Sequence, residues 1–223
     1  MIIGCVGIGG KGTRLGMTFS KEMLPQRNYM FYNPISNHLV SKMEEAYAEH
    51  VYFIHGLELK QDVVNFYKDV SKYTHITQNE LGFANVLNEF INSVKFDKND
   101  SILFGMPDTI FEENPFIKMI ELDGVVSGLF TTDAETKVDR LYKNTNKFKI
   151  KSKLTDELTE NFWGILKFDG KNLLEAHKEN LFEKYTEVGD IVNFLGFKTI
   201  QGSKYIDLGT WPNYNRYLSQ GYY

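Results

Sequence analysis

The sequence is poor in the features that mark several large classes of protein. It has one cysteine and five prolines among 223 residues, and acidic residues outnumber basic ones by 29 to 25. The single cysteine, Cys5, has no partner for an internal disulfide, which excludes a small fold stapled by disulfides. The first residues lack the charged, apolar and small-residue regions of a secretory signal, and we therefore expect a cytoplasmic protein.

Long apolar runs and a basic charge balance are also missing. No apolar stretch approaches the roughly 20 residues that a membrane-spanning helix needs, so we expect no membrane partner. The formal net charge of -4 provides no positive field for wrapping nucleic acid. Any phosphate-bearing ligand must therefore be held by a few placed cations, which favours a small-molecule site. The composition does not determine the oligomeric state, and it is compatible with a homo-oligomer.

Apolar strands and amphipathic helices alternate along the first half. With 42% hydrophobic residues, the chain can bury one sizeable core, and we expect one domain over residues 1–223. The patterns predict strands at 2–8, 51–54, near His75 and at 102–104, and helices at 35–50, 59–70 and 83–94. This alternation is typical of an α/β fold with a mostly parallel sheet flanked by helices, a Rossmann-like architecture.

The second half has a less regular pattern. Apolar segments predict further strands at 125–130, 162–168, 197–200 and 205–208. A helix is predicted at 173–185, and the lysine-rich segment 143–153 is predicted to be an exposed hairpin or loop. The expected sheet is therefore mixed, in a single domain.

A glycine-rich segment follows directly after the first predicted strand. Residues 7–15 have the sequence G-I-G-G-K-G-T-R-L. Glycines let backbone N–H groups approach an anion without a Cβ in the way, so the segment is predicted to cradle phosphates. A mobile turn is the plainer interpretation, but it does not require Thr13 and Arg14.

Two known phosphate-binding patterns can be compared with this segment. A Walker A loop fails, because Cys5 stands where its first glycine is required. Gly7, Gly9 and Gly12 satisfy the G-x-G-x-x-G pattern of dinucleotide-binding folds. That pattern also needs a helix starting at the loop and an acidic residue about 20 positions further on, and neither is evident. An NAD-binding oxidoreductase stays an alternative.

The glycine segment is followed by S-K-E-M-L-P at residues 20–25. Together the two motifs resemble the signature of the sugar-1-phosphate nucleotidyltransferases, particularly the glucose-1-phosphate thymidylyltransferase branch. The resemblance implies the nucleotide-diphospho-sugar transferase fold. It also implies an enzyme that couples an NTP to a phosphorylated small molecule, such as a sugar 1-phosphate, and releases pyrophosphate.

The same resemblance implies roles for individual residues of both motifs. The glycine loop, which contains the nucleotide-binding residues Gly9, Gly10, Gly12 and Thr13, would wrap the triphosphate. Arg14 would neutralise the leaving pyrophosphate, and Lys21 would contact the phosphates. These roles agree with the chemistry, because phosphoryl-type transfer depends on in-line positioning and on cations matched to developing charge.

Further segments resemble the base-recognition and metal-binding motifs of the family. Residues 77–84, T-Q-N-E-L-G-F-A, imply that Gln78 and Gly82 contact the base. Asp108 in G-M-P-D-T-I-F and Asp207 in Y-I-D-L-G-T resemble the two metal-binding aspartates, and Asp108 is also assigned to catalysis. Two carboxylates suit Mg²⁺, which usually takes one or two protein carboxylates together with phosphate oxygens and water.

One stretch departs from the family pattern. Where the family carries Glu-Lys-Pro, this chain has K-N-T at residues 143–145, so the sugar-contacting glutamate and the phosphate-contacting lysine are out of register. Lys143 is the candidate to supply the missing cation. Trp163 and Gly164 are expected to line the acceptor pocket, because family members place substrate contacts there.

The departure leaves the acceptor open. A lysine in place of the glutamate suits an acceptor with a second anionic group, so we expect glucose 1-phosphate to be a poor substrate. A cytidylyltransferase for a non-sugar phosphate is one alternative. A catalytically silent nucleotide-binding regulator is another, although the joint presence of Arg14, Lys21, Asp108 and Asp207 argues against it.

The histidines are scattered along the chain and show no spacing typical of a zinc site. We expect structural or surface roles for all of them: His38, His50, His55, His75 and His177.

Overall fold

The computed structural model describes residues 1–9, 16, 18–27, 30–80 and 82–220. Its strands, in chain order, are β1 (Ile2–Ile8), β2 (His50–His55), β3 (Tyr73–Thr77), β4 (Ser101–Gly105), β5 (Thr109–Phe111), β6 (Val126–Thr131), β7 (Val138–Tyr142), β8 (Phe148–Ser152), β9 (Leu158–Asp169), β10 (Lys198–Gln201) and β11 (Tyr205–Asp207). Its α-helices are α1 (Ser36–Glu45), α2 (Gln61–Tyr67), α3 (Phe83–Ser93), α4 (Phe116–Met119), α5 (Gly170–Lys178), α6 (Leu181–Lys184), α7 (Val188–Leu195) and α8 (Trp211–Gln220). A 3-10 helix covers Lys21–Met23.

Most of the described strands belong to one mixed sheet. Its order is β10-β6-β9-β4-β1-β2-β3, and β7 and β8 continue it beside β9. Strands β4, β1, β2 and β3 run parallel, whereas β9 is antiparallel to both β4 and β6. Strands β5 and β11 form a separate antiparallel pair. The predicted α/β class, with a mixed, mostly parallel sheet flanked by helices, is confirmed.

Burial explains why the first strands have such uniform sequences. Strand β1 lies between β2 and β4 and is buried from Ile3 to Ile8, which accounts for its unbroken run of apolar residues. Helix α3 packs on one face of the sheet through Ala84, Leu87 and Phe90, which recur at helical spacing. Helix α1 covers the opposite face.

Three helices differ from the prediction. The helix predicted at 173–185 is wrong as one element, because Asn180 adopts a left-handed conformation with φ 53° and separates α5 from α6. The helix predicted to continue to residue 50 ends at Glu45, shortly before Tyr47 at φ 64°. The helix predicted at 59–70 covers only Gln61–Tyr67.

Several elements were not predicted. Strand β8 pairs antiparallel with β7, and the segment 143–153, predicted to be a hairpin or loop, forms the turn and the second strand of this hairpin. Strand β7 was not predicted. The other missed elements are short or follow irregular segments, namely β5, α4, α7 and α8. None of the helices in the described part of the chain combines the length and the apolar character that crossing a bilayer requires.

Candidate active site

Pairing of β5 with β11 brings the two predicted metal-binding aspartates together. Asp108 lies in the turn between β4 and β5, and Asp207 is the last residue of β11. Asp207 is in register with Thr109, and the backbone N–H of Leu208 donates to the carbonyl oxygen of Asp108 at 2.8 Å. The turn after β4 and the end of β11 are therefore joined by main-chain hydrogen bonds.

Both carboxylates face Gly209. Its backbone N–H donates to Oδ1 of Asp207 at 2.7 Å. A Cβ placed on Gly209 would lie 2.9 Å from Oδ1 of Asp207 and 3.2 Å from Oδ2 of Asp108. The two carboxylates thus converge on one point, and a side chain at position 209 would crowd it. Asp108 is only 7% exposed, whereas Asp207 is exposed.

Lys21 reaches the same point from a third segment. Its ammonium forms an ion pair with Oδ2 of Asp108, and both side chains are largely buried. Burial alone lowers the pKa of Lys21, but the nearby carboxylates of Asp108, Glu22 and Asp207 raise it above its ordinary value. Lys21 therefore stays positively charged in the neutral range.

The residues that follow Lys21 are held in place by contacts with Leu208 and with helix α8. Leu24 packs with Leu208 in a small apolar cluster that also includes α8. From α8, the hydroxyl of Tyr214 donates to the carbonyl oxygen of Pro25 at 2.9 Å. This unpredicted helix thereby connects the Lys21 segment with the residues that follow Asp207.

The described part of the glycine segment lies beside Gln78. Gly9 follows β1, and a Cβ placed on it would lie 3.4 Å from Nε2 of Gln78. The side chain of Gln78 is 4% exposed, and its Oε1 has no hydrogen-bond partner among the described residues. A buried amide oxygen of this kind normally finds a partner, so its position suits a polar ligand. Gly10, Gly12, Thr13 and Arg14 lie outside the described residues.

Gly82 precedes α3 in a conformation that favours glycine, with φ 144°. Together with Asn79, Glu80 and Asn85 it lines a cleft of about 540 Å³. A second cleft, of about 460 Å³, is lined by Ser20, Lys21, Lys60 and their neighbours. The predicted base loop and the predicted phosphate-contacting lysine therefore both border open space.

Trp163 and Gly164, the predicted acceptor residues of β9, face opposite sides of the sheet. The indole of Trp163 packs 5.9 Å from the ring of Phe83, and its Nε1 donates to Oδ2 of Asp139 at 2.8 Å. Burial raises the pKa of Asp139. A Cβ placed on Gly164 would lie 2.7 Å from an atom of the Tyr205 ring, so Gly164 allows β9 and β11 to approach closely.

Lys143 stands apart from these groups. It lies in the turn between β7 and β8 with an exposed side chain, and its backbone N–H donates to the carbonyl oxygen of Glu157 at 3.0 Å. Among the described residues, its contact is with this neighbouring loop and not with Lys21, Asp108 or Asp207.

Tyr205 is a site residue that the sequence did not indicate. Its ring packs 4.8 Å from that of Phe130. Burial and the charges of Asp207 and Asp108 raise its pKa well above the ordinary value. The Tyr205 hydroxyl therefore stays neutral in the neighbourhood of the two aspartates. An aromatic residue in a predicted strand is usually a core residue, so its sequence gave no such signal.

Comparisons with known proteins identify the fold. No protein-family model and no curated protein matches the sequence. A 2.76 Å crystal structure does match: a protein of Bacillus anthracis, provisionally described as a glucose-1-phosphate thymidylyltransferase, in complex with sucrose. The two chains superpose with a TM-score of 0.80 at 21% identity, over 99% of this chain and 95% of the other. At this identity the likeness shows a shared fold.

Proposed function

We propose that this protein is a nucleotidyltransferase that transfers a nucleoside monophosphate from an NTP to a phosphorylated small molecule and releases pyrophosphate. The observation that carries the proposal is the convergence of Lys21, Asp108 and Asp207, which come from three separate segments of the chain. The shared fold with the Bacillus anthracis protein supports the same class of activity.

In the proposed reaction an oxygen of the acceptor phosphate attacks the α-phosphorus of the NTP. The new bond joins that oxygen to the α-phosphorus. The bond between the α-phosphorus and the oxygen that bridges to the β-phosphate breaks, and pyrophosphate leaves with the bonding electrons. Such transfers are catalysed mainly by positioning and by cations matched to the developing charge. Lys21, held positive by its acidic neighbours, would bind and orient the phosphates. Arg14, outside the described residues, would stabilise the leaving group.

The two aspartates fit a divalent cation. Their carboxylates face one point, and carboxylate oxygens are the ligands that Mg²⁺ prefers. Among the described residues there is no group of three or more histidine, cysteine or acidic side chains suited to a metal, but Mg²⁺ often uses only one or two carboxylates. Asp108 and Asp207 would hold the ion, which when bound would neutralise charge on the reacting phosphates.

We further propose that Gln78 and Gly82 recognise the base and that the acceptor is a sugar 1-phosphate or a related ester. The buried amide of Gln78 beside Gly9 supports the first assignment. The sugar bound in the Bacillus anthracis structure supports the second. In this proposal Trp163 and Gly164 border the acceptor site, each from its own face of β9. The exposed ammonium of Lys143 would meet an anionic group that extends from the acceptor toward the turn between β7 and β8.

A labelling experiment tests the reaction class. Each common NTP, labelled with ³²P at the α or the γ position, is incubated with the protein, Mg²⁺ and a panel of phosphorylated acceptors. We expect the α label to move into a product that contains the acceptor, and the γ label to appear in pyrophosphate. Release of the γ label as inorganic phosphate, with the α label left in NDP, would show an NTPase instead.

A further inference from the structure

The start of α2 holds both sequence neighbours of Lys21. On one side, the backbone N–H of Ser20 donates to Oδ2 of Asp62 at 2.7 Å, and its hydroxyl donates to Oδ1 at 2.6 Å. On the other side, Nζ of Lys60 lies 2.8 Å from each carboxylate oxygen of Glu22. Asp62 and Lys60, at the start of α2, therefore bind the residues immediately before and after Lys21.

The ion pair between Lys60 and Glu22 is costly to break because the Glu22 carboxylate is buried. The side chain of Glu22 is 1% exposed, whereas that of Lys60 is 18% exposed. A buried charge without its partner is strongly destabilising, so the ammonium of Lys60 must stay with Glu22. Lys60 is itself anchored to the sheet, because its backbone N–H donates to Nδ1 of His55 in β2 at 3.1 Å.

The Lys21 segment needs such support. Lys21 lies in a 3-10 helix of three residues, and helices this short do not fix their own geometry. The side chain must nevertheless reach a single carboxylate, that of Asp108, which lies on a different element. Contacts from outside the helix must therefore define its position. Leu208 and Tyr214 hold the residues after the helix, and Asp62 and Lys60 contact the residues immediately before and after Lys21.

We infer that Lys60 and Asp62 are positioning residues that set where the Lys21 ammonium stands against Asp108. They contact the residues that flank Lys21 and act through it. The inference rests on the proposed function, in which the charge of Lys21 orients the phosphates. Misplacing such a group by about 1 Å can cost on the order of 10²-fold in rate.

The first test compares Lys60→Met with a control variant, Lys68→Met. The control removes the same type of side chain from an exposed position just after α2. We expect Lys60→Met to lower kcat by about 10- to 100-fold with little change in KM for the NTP, and Lys68→Met to behave as wild type. Lys60→Arg keeps the ion pair with Glu22 and should restore most of kcat. Equal kcat values for Lys60→Met and wild type would overturn the inference.

Double variants separate positioning from simple loss of stability. In a Lys21→Ala background, Lys60→Met should lower kcat no further, because two groups that act as one unit are not additive. The pair Glu22→Met and Lys60→Met removes both charges, so we expect its Tm to recover while kcat stays low. Recovery of kcat together with Tm, or full additivity with Lys21→Ala, would show a structural role only.

A readout that does not depend on activity keeps the two proposals apart. Acetylation of individual lysines, followed by mass spectrometry, reports whether Lys21 is paired. We expect Lys21 to be acetylated several-fold faster in Lys60→Met than in wild type, with Lys68 as the internal reference. If the wild-type protein is an active nucleotidyltransferase and Lys60→Met leaves the acetylation rate of Lys21 unchanged, the positioning role is refuted and the proposed reaction is not. A raised rate in a protein that turns over no NTP would uphold it and refute the proposed reaction.

Discussion

The backbone N–H of Leu208 donates to the carbonyl oxygen of Asp108 at 2.8 Å. This bond extends the pairing of β5 and β11 beyond the strands and places the carboxylates of Asp108 and Asp207 on the same side of Gly209. The main-chain geometry thus brings the backbones of the two residues together. A small change in either side chain should alter the site chemically without moving its framework.

The first prediction concerns these aspartates. We expect Asp108→Asn or Asp207→Asn to abolish nearly all pyrophosphate release, because each substitution removes a negative charge from the proposed cation site. The main-chain bond between positions 108 and 208 should keep the fold intact, as measured by circular dichroism, whereas the Tm of Asp108→Asn should fall because Lys21 loses its ion-pair partner.

Asp156→Asn is the control for this pair, since Asp156 is an exposed residue of the loop before β9. It should retain wild-type turnover. Wild-type turnover in the Asp108 and Asp207 variants as well would remove the metal assignment.

The second prediction concerns Arg14. We expect Arg14→Ala to lower kcat by about 10² or more, the scale lost when one preorganised charge-stabilising group is removed. Steady-state pyrophosphate release measures the effect, and a fluorescence titration with NADH accompanies it. Binding of NADH without binding of any NTP would favour the dinucleotide-binding alternative.

The third prediction concerns the acceptor. On the motif resemblance described above, Lys143 takes the place of a glutamate that would bind sugar hydroxyls, and each such charge-assisted hydrogen bond is worth about 1.5–3 kcal/mol. We therefore expect glucose 1-phosphate to have a kcat/KM roughly tenfold to a hundredfold below that of a phosphorylated acceptor with a second anionic group. Lys143→Ala should lower kcat/KM for the anionic acceptor only.

Direct comparison of the two acceptors at matched NTP decides the third prediction. A kcat/KM for glucose 1-phosphate near ~10⁴ M⁻¹s⁻¹ or above, with no anionic acceptor doing better, would contradict it.

The fourth prediction concerns stability at low pH. Burial and the charge of Lys42 lower the pKa of His38 to about 4, and burial with the charges of His75 and Lys60 lowers that of His55 to about 3. Both values lie below the unfolded value of about 6.5, so the unfolded chain binds more protons as the pH falls. Stability should therefore be complete above about pH 6.5 and decrease below it, by about 1 kcal/mol per pH unit for each histidine.

Urea unfolding at pH 7.5 and 5.5 measures this dependence. His38 accepts the backbone N–H of Phe111 at Nε2, at 3.1 Å, and a glutamine oxygen can take over that role without titrating. His38→Gln should lose less stability than wild type between the two pH values. An identical loss in the two proteins would show that His38 does not contribute.

Many of the elements could be predicted, and the motif residues could be singled out as candidates, because their signals are local. An unbroken apolar run predicts β1, and the spacing of Ala84, Leu87 and Phe90 predicts α3. The glycine segment and the two aspartate motifs are likewise short stretches of sequence. The break at Asn180 was missed, because the apolar pattern continues across it while one left-handed residue interrupts the helix.

The arrangement of the site could not be predicted, because it depends on contacts between distant segments. Nothing in the sequence links Glu22 to Lys60, and a lysine near the start of an amphipathic helix is usually solvated. The same holds for Tyr205, whose neighbours Phe130 and Thr109 belong to other strands. Only the folded chain shows that these residues surround Lys21 and the aspartates.

Pyrophosphate release, measured for each common NTP against a panel of phosphorylated acceptors with Mg²⁺ and with EDTA, tests the proposed reaction itself. We expect at least one NTP and acceptor pair to give pyrophosphate, both substrates and the metal to be needed, and Asp108→Asn to remove the signal. Absence of pyrophosphate from every pair in the folded wild-type protein, or release that persists in EDTA, would contradict it.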